Sequence, residues 1–369
     1  LKRLGLVVNP YAGLGGRVGL KGTDGPETVR KALALGARPV APQRAVLFLK
    51  ALGRVGLELY TYPGPMGEEE ALEAGWTPRV VGRLTRQETS AEDTRRAARL
   101  MAGLPVDLLV VVGGDGTARD VLDAIGQRLP VVGVPSGVKT YSSVYATSPR
   151  AAAELAHRYL KEGLPLGEGE VLDVDEAAFR AGRLEVRLYG YLKVPQEPRL
   201  LQASKEASPL GPEEEENRAA IARWLAERLE PSALYIVGPG NTPKALPRLL
   251  GLPFTLLGVD LYEGMRRVVA LDVGEAAILQ ALSQYPKAKI VVTPIGGQGF
   301  ILGRGNLQIS PEVVRLAGRE ALIIVATRWK MAGLKALRVD TGDPMVDRSL
   351  QGYWRVLVDY GEEVVVRCL

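Results

Sequence analysis

Gly113-Gly114-Asp115-Gly116-Thr117 is where residue type and spacing most plainly suit chemistry. Glycines let a backbone turn and come close to a ligand. The amides of such a turn, running into a helix that starts near Thr117, make a site for phosphate. Asp115 is the odd member, because an acid beside a phosphate cradle repels the ligand unless it binds a metal or takes a proton. Both roles suit phosphoryl transfer to a hydroxyl, where a carboxylate orients and deprotonates the acceptor. The plain alternative is a structural turn.

Other glycine-rich loops could hold nucleotide. Asn9, Gly13, Gly15 and Gly16 follow the apolar run Leu4–Val8, and Ser136, Gly137 and Lys139 follow Val131–Val134. Gly238, Gly240, Asn241 and Thr242 follow Leu234–Val237. Gly296, Gly297, Gln298 and Gly299, then Arg304 and Asn306, follow Lys289–Val292, and could present amides and one guanidinium to phosphates. Lys21, Lys139 and Lys244 each border a glycine loop and could neutralise a phosphate. Asp340 and Asp343 flank Thr341-Gly342, as Mg²⁺ ligands or as ordinary turn residues. Asparagine occurs only at 9, 217, 241 and 306, three of them in glycine-rich loops, for ligand bonds or for tight turns.

The rare residues exclude much chemistry. There is one histidine, His157, in a helical-looking stretch without a partner pattern, and one cysteine, Cys368, next to the end of the chain. Intrachain disulfides and Cys/His zinc sites are therefore impossible. A Ser–His–Asp triad is not expected, and the general base should be a carboxylate or a lysine.

These loops need elements to hold them. Strands are expected at 4–8, 57–61, 106–112 and 131–134, alternating with helices at 26–35, from Ser90, and through Ala118, Val121, Leu122 and Ile125 at helical spacing. Residues 1–165 therefore read as an α/β domain with a Rossmann-like parallel sheet, and open sheets of this kind bind ligands at the carboxyl ends of their strands. Residues 166–369 read as a second domain of α/β type. It begins with short strands at 171–174 and 184–189, then an exposed loop from 195 leading through Glu213–Glu216 into a helix over 217–229. The βα rhythm returns with strands at 234–237, 255–259, 289–292 and 321–326 and a helix opened by Ser310-Pro311-Glu312. A final strand pair over 354–368 could return to the first domain.

The 369 residues are 46% hydrophobic and 24% charged, an ordinary globular composition with material for two cores. No stretch is long and apolar enough to span a bilayer and no signal-peptide core is evident, so the chain is expected to be cytoplasmic and to have no membrane partner. With 47 basic against 42 acidic residues the net charge is +5, which suits phosphorylated small molecules. The basic residues are dispersed and only 6% of residues are aromatic, so nucleic acid is not expected. Scarce Asn, Cys and Met fit a heat-adapted (thermophilic) protein.

The succession of motifs resembles the NAD kinase family, in particular its archaeal and bacterial ATP-NAD kinase-like branch. The residues that carry the resemblance are Val8-Asn9-Pro10, Gly22-Thr23-Asp24-Gly25, Gly113–Thr117, Gly133–Lys139, Gly238–Thr242, Thr293–Phe300, Gly303–Asn306 and Arg338–Asp343. The resemblance implies a two-lobed fold and a kinase that phosphorylates the adenosine ribose 2′-hydroxyl of NAD, with ATP and Mg²⁺, in a homo-oligomer. It implies that Asp115 is the base that contacts the acceptor. Gly238-Pro239-Gly240-Asn241-Thr242 stands where the family has Thr-Pro-Thr-Gly-Ser-Thr, and Asp175-Glu176 lies near the place of its Asn-Glu pair. Two alternatives stay open: another hydroxyl acceptor, since diacylglycerol and sphingosine kinases share Gly-Gly-Asp-Gly and an early Asn-Pro, or a nucleotide sensor without turnover.

Overall fold

The computed structural model describes residues 1–20, 26–54, 56–86, 88–136, 140–174, 186–197, 199–202, 212–295 and 299–369. Several residues singled out from the sequence lie outside that set: Lys21, the Gly22–Gly25 motif, Gly137, Lys139, Asp175, Glu176, Gly296, Gly297 and Gln298. The chain divides into two compact units, residues 1–14 with 22–204, and residues 15–21 with 205–369.

The first unit is built on β1 (Lys2–Val8), β2 (Leu57–Thr61), β3 (Arg79–Val80), β4 (Leu108–Gly113) and β5 (Val131–Pro135). They form one parallel sheet in the order β3-β2-β1-β4-β5. Period-two alternation sorts its side chains to two faces. Leu4, Leu6 and Val8 of β1 and Leu108, Val110 and Val112 of β4 meet α2 (Ala41–Leu52) and α6 (Pro149–Glu162). Val7, Leu109 and Val111 meet α4 (Ala91–Ala102) and α5 (Asp115–Ile125) on the other face. α1 (Pro26–Ala34) and the short α3 (Glu68–Glu73) complete the helices of this unit among the described residues. The chain winds outward from β1 to β3 and then resumes on the opposite side at β4. The β1–β4 junction is therefore the point where such a sheet opens a crevice at its carboxyl end.

The antiparallel hairpin β6 (Leu166–Val174) and β7 (Val186–Pro195) also belongs to this unit. The sequence places the domain boundary at 165. The compact units instead divide near 204, because Val171, Leu192 and Val194 bury with Ala118, Val121 and Ile125 of α5.

The second unit holds a seven-stranded sheet. β8 (Leu234–Val237), β11 (Ala288–Val292), β13 (Leu322–Val325) and β15 (Gly352–Asp359) run parallel. Antiparallel β9 (Asp260–Glu263) and β10 (Arg267–Ala270) flank them on one side and β16 (Glu362–Cys368) on the other. β12 (Phe300–Leu302) pairs separately with β14 (Arg338–Val339). The last strand pair thus extends the second sheet and does not return to the first. Residues 255–259, expected as a strand, form none. Asp260 draws the chain into a turn, accepting the backbone N–H of Thr255 at 2.8 Å, its hydroxyl at 2.7 Å and the N–H of Asp272 at 2.9 Å.

Two ion pairs lie inside this unit. Lys244 Nζ meets Asp260 at 2.6 Å with both side chains fully buried, and also donates to the carbonyl of Val237 at 2.9 Å. Lys244 therefore holds the end of β8 and is not placed to neutralise a phosphate. Arg304, expected to present its guanidinium to phosphates, is instead fully buried, 2.8 Å from Asp340 and stacked 4.7 Å from the Phe300 ring centre. In the first unit Glu70 is buried in α3. Burial raises its carboxyl to about 7, although backbone N–H groups at the helix start pull it down.

Two stability predictions follow from these buried charges. Arg304→Ala strands a buried aspartate, and truncating one partner of such a pair costs about 3–5 kcal/mol in chemical unfolding; a loss under 1 kcal/mol contradicts this account. Because the folded-state pKa of Glu70 is raised, its protonated form stabilises the fold below about pH 4.5, and this contribution is lost as pH rises through about 7. Glu70→Gln should therefore gain about 2–3 kcal/mol on the parent between pH 5 and pH 8. Parallel pH profiles of stability for the two proteins would contradict it.

Candidate active site

The apolar run of β4 ends at Gly113, and Gly114 caps α5, so Asp115 is the first helical residue and α5 begins two residues before Thr117. Gly113 has to be glycine here, because a Cβ would sit 2.3 Å from the Thr117 hydroxyl. That hydroxyl is held by Asn9, whose Nδ2 donates to it at 3.0 Å, while Asn9 Oδ1 accepts the N–H of Tyr11 at 3.2 Å. The loop after β1 is thereby tied to the loop after β4, across the junction where the sheet opens. Gly13, with φ at +80°, presses on the end of β5, where a Cβ would fall 2.3 Å from the Ser136 carbonyl oxygen. Ser136 is buried, and its hydroxyl has no partner among the described residues.

Asp115 turns its carboxylate toward the segment after β5. It accepts the N–H of Tyr141 at 2.9 and 3.1 Å, the N–H of Ser142 at 2.9 Å and the Ser142 hydroxyl at 2.6 Å. Tyr145 reaches under the motif and donates to the Gly114 carbonyl. Burial raises the Asp115 carboxyl to about 6; the bonds from Ser142 and Tyr141 and the nearby Arg119 guanidinium hold it below what burial alone would give. A carboxylate that titrates near 6 is mostly ionised at neutral pH yet more basic than a solvated aspartate, the balance a general base needs. Tyr141 and Tyr145 are pushed up by burial and stay neutral.

The remaining candidates separate. Asn9, Gly13, Gly113, Gly114, Gly116, Thr117 and Ser136 share the first unit with Asp115, whereas Gly15 and Gly16 group with the second. A Cβ on Gly16 would meet Leu307 at 2.4 Å, so this glycine serves packing there. In the second unit Gly240, with φ at +110°, caps the helix Asn241–Leu249, and Thr242 is buried in its first turn. Gly238 donates its N–H to Val291 at 2.9 Å, beside the end of β11. There Lys330 reaches the Thr293 hydroxyl at 3.3 Å. Asn306 is a turn residue, its amide taking the N–H of Gly303 at 3.1 Å and giving to the Ile301 carbonyl at 2.9 Å. A Cβ on Gly299 would fall 2.4 Å from the Ala336 carbonyl oxygen, so close backbone approach explains it. Asp340 is taken by Arg304, and Asp343 caps the helix Pro344–Leu350 through the N–H groups of Met345 and Val346.

Sequence reasoning missed Tyr141, Ser142 and Lys330. The Ser142-Ser143 pair carries no motif, and its role depends on where the chain returns after β5. Lys330 could have been noticed as the lysine closest after the end of β13.

Comparison with known proteins bears on the reaction class. The family model described as the ATP-NAD kinase N-terminal domain matches residues 4–164. That of the ATP-NAD kinase C-terminal domain matches residues 232–368. No curated protein matches the chain. Among solved structures it has a weak likeness to UDP-GlcNAc 2-epimerase from Neisseria meningitidis bound to UDP-GlcNAc, at 12% identity and a TM-score of 0.23. That likeness covers 38% of this chain and 34% of the epimerase chain, and no argument rests on it. Two family domains, one of them holding the half-buried carboxylate of Asp115 at the strand crossover, make this chain a phosphotransferase of the ATP-NAD kinase family.

Proposed function

We propose that this kinase transfers the γ-phosphoryl group of ATP to the 2′-hydroxyl of the adenosine ribose of NAD, giving NADP and ADP. The observation that carries the reading is the Asp115 carboxyl, held at the carboxyl end of β4 with a pKa raised to about 6. The acceptor hydroxyl would donate to it. As that oxygen forms its bond to the γ-phosphorus, the bond to ADP breaks and the proton passes to Asp115. The proposed nucleotide contacts are Asn9, Gly13, Gly113, Gly114, Gly116, Thr117 and Ser136 in the first unit and Gly238, Gly240, Asn241 and Thr242 in the second. Assembly as a homo-oligomer in the cytoplasm belongs to the same proposal.

Mg²⁺ fits this site as a companion of the substrate phosphates. Among the described residues no group of three or more His, Cys, Asp or Glu side chains could hold a metal. Mg²⁺ dehydrates reluctantly and keeps several waters beside substrate phosphates, so the polyphosphate and water would supply its ligands, and Asp115 would be kept for the proton. When bound it would neutralise charge on the phosphates.

Asp115→Asn should lower turnover about 10²–10⁴-fold, the scale of a general base, with nucleotide binding nearly intact by calorimetry. Near-normal turnover would sink the assignment. ATP, Mg²⁺ and a panel of hydroxyl acceptors, with products identified by mass, test the acceptor itself: NADP supports the proposal, and phosphorylation of a different acceptor alone overturns it. Removing Mg²⁺ and Mn²⁺ by chelation should abolish turnover, and added zinc should not restore it, since hard cations suit carboxylate and phosphate oxygens.

A further inference from the structure

The two oxygens of the Asp115 carboxylate are not equivalent. Oδ1 accepts three donors: the N–H of Tyr141 at 3.1 Å, the N–H of Ser142 at 2.9 Å and the Ser142 hydroxyl at 2.6 Å. Oδ2 accepts one, the N–H of Tyr141 at 2.9 Å. The Ser142 hydroxyl is itself constrained, because its oxygen accepts the N–H of Leu172 on β6 at 2.9 Å. A backbone N–H can only donate, so the hydroxyl has a lone pair committed to β6 and its hydrogen left for Asp115.

We infer that Ser142 is a positioning residue that locks Oδ1 of Asp115 as a permanent acceptor and leaves Oδ2 as the oxygen that takes the proton from the acceptor hydroxyl. The inference deepens the phosphoryl-transfer reading and rests on it for the identity of that proton. As the acceptor oxygen bonds to phosphorus and the nucleoside diphosphate leaves, the hydrogen moves to Oδ2, while Oδ1 keeps its three donors throughout.

The surroundings make the lock rigid. Ser142 is fully buried, between the buried Tyr141 and the hairpin. Ser143 exchanges bonds with Glu170 of β6, donating its N–H to the carbonyl at 3.0 Å and accepting the N–H on its hydroxyl at 2.8 Å. Val144 and Ala146 bracket Gly133 of β5 through two bonds of 2.9 Å. The charged groups around Asp115 are fixed as well. Arg119 lies one turn along α5 and is gripped by Asp173 of β6, which also binds Arg187 of β7 at 2.7 and 2.9 Å. Asp120 of α5 is paired with Arg95 of α4 at 2.7 Å. The buried phenols of Tyr141 and Tyr145 are neutral. Against this background, loss of the Ser142 hydroxyl changes one donor to the charged form of Asp115 and no net charge.

The test compares the parent with Ser142→Ala by two readouts. One is the pH dependence of kcat and KM with ATP, Mg²⁺ and the acceptor. The other is titration of the Asp115 carboxyl by ¹³C NMR, the resonance being assigned from its absence in Asp115→Asn. Removing a donor to the charged form raises a carboxyl pKa. The acid limb of kcat should move up by about one unit, so that turnover falls several-fold more at pH 6 than at pH 8, with KM little changed. The NMR midpoint should move by the same amount. Ser142→Cys, which keeps a weak donor, should give a smaller shift and serves if the alanine variant does not fold. Midpoints and profiles that coincide with the parent overturn the inference and leave Ser142 a packing residue. Should no acceptor be phosphorylated, the carboxyl titration alone decides, so a failure of the kinase reading is told apart from a failure of this one.

Discussion

The carboxylate of Asp115 pairs backbone donors that would otherwise be buried without partners. Where the chain returns from β5, the N–H groups of Tyr141 and Ser142 point at the start of α5 and find Asp115. An orphaned buried N–H costs about as much as a lost hydrogen bond, so the segment's path depends on that acid. The demand is reciprocal, because burying a carboxylate is unfavourable unless donors surround it. Loop and acid thus hold each other, and the raised but still acidic pKa is the residue of that balance. A group suited to take a proton arises at a place the fold needs a polar anchor.

The hairpin β6–β7 ties this arrangement to the rest of the first unit. Leu172 reaches Asp115 through Ser142, and its neighbour Asp173 reaches Arg119 on the same helix. One strand therefore fixes both the donors and the nearest positive charge, while its Val171 side chain buries with those of α5. Packing and electrostatics share an element, which is why the hairpin belongs with the first sheet despite following its last helix.

The second unit uses buried charge differently. Lys244 and Asp260 join the end of β8 to the turn before β9, and Arg304 joins the loop after β12 to the end of β14. Both pairs hold loop termini in place. Breaking either leaves an unpaired charge in a low-dielectric interior, so these are constraints on loop shape more than sources of net stability.

The sequence by itself determined four of the five strands of the first sheet and the helices near 26–34, 91–102 and 115–125, with the glycine motif around Asp115, but not the short β3 or the helices α2 and α3. The run Val106–Val112, apolar but for Asp107, is what a strand covered on both faces looks like, and the glycines that follow mark its carboxyl end. The sequence likewise carried the succession of family motifs. It could not say which polar residues near a glycine loop face a ligand and which face the core. Lys244, Arg304 and Asn306 all border such loops, yet each is consumed by partners distant or hidden in sequence: Asp260, Asp340 and the backbone of residues 301–303. Nor could it assign the hairpin over 166–195 to the first unit, or place Ser142 on the carboxylate, 27 residues away along the chain. Local periodicity fixes which face of an element is apolar. The partner of a buried charge is decided only when distant segments are brought together, because its pairing depends on distance and desolvation that no local pattern encodes.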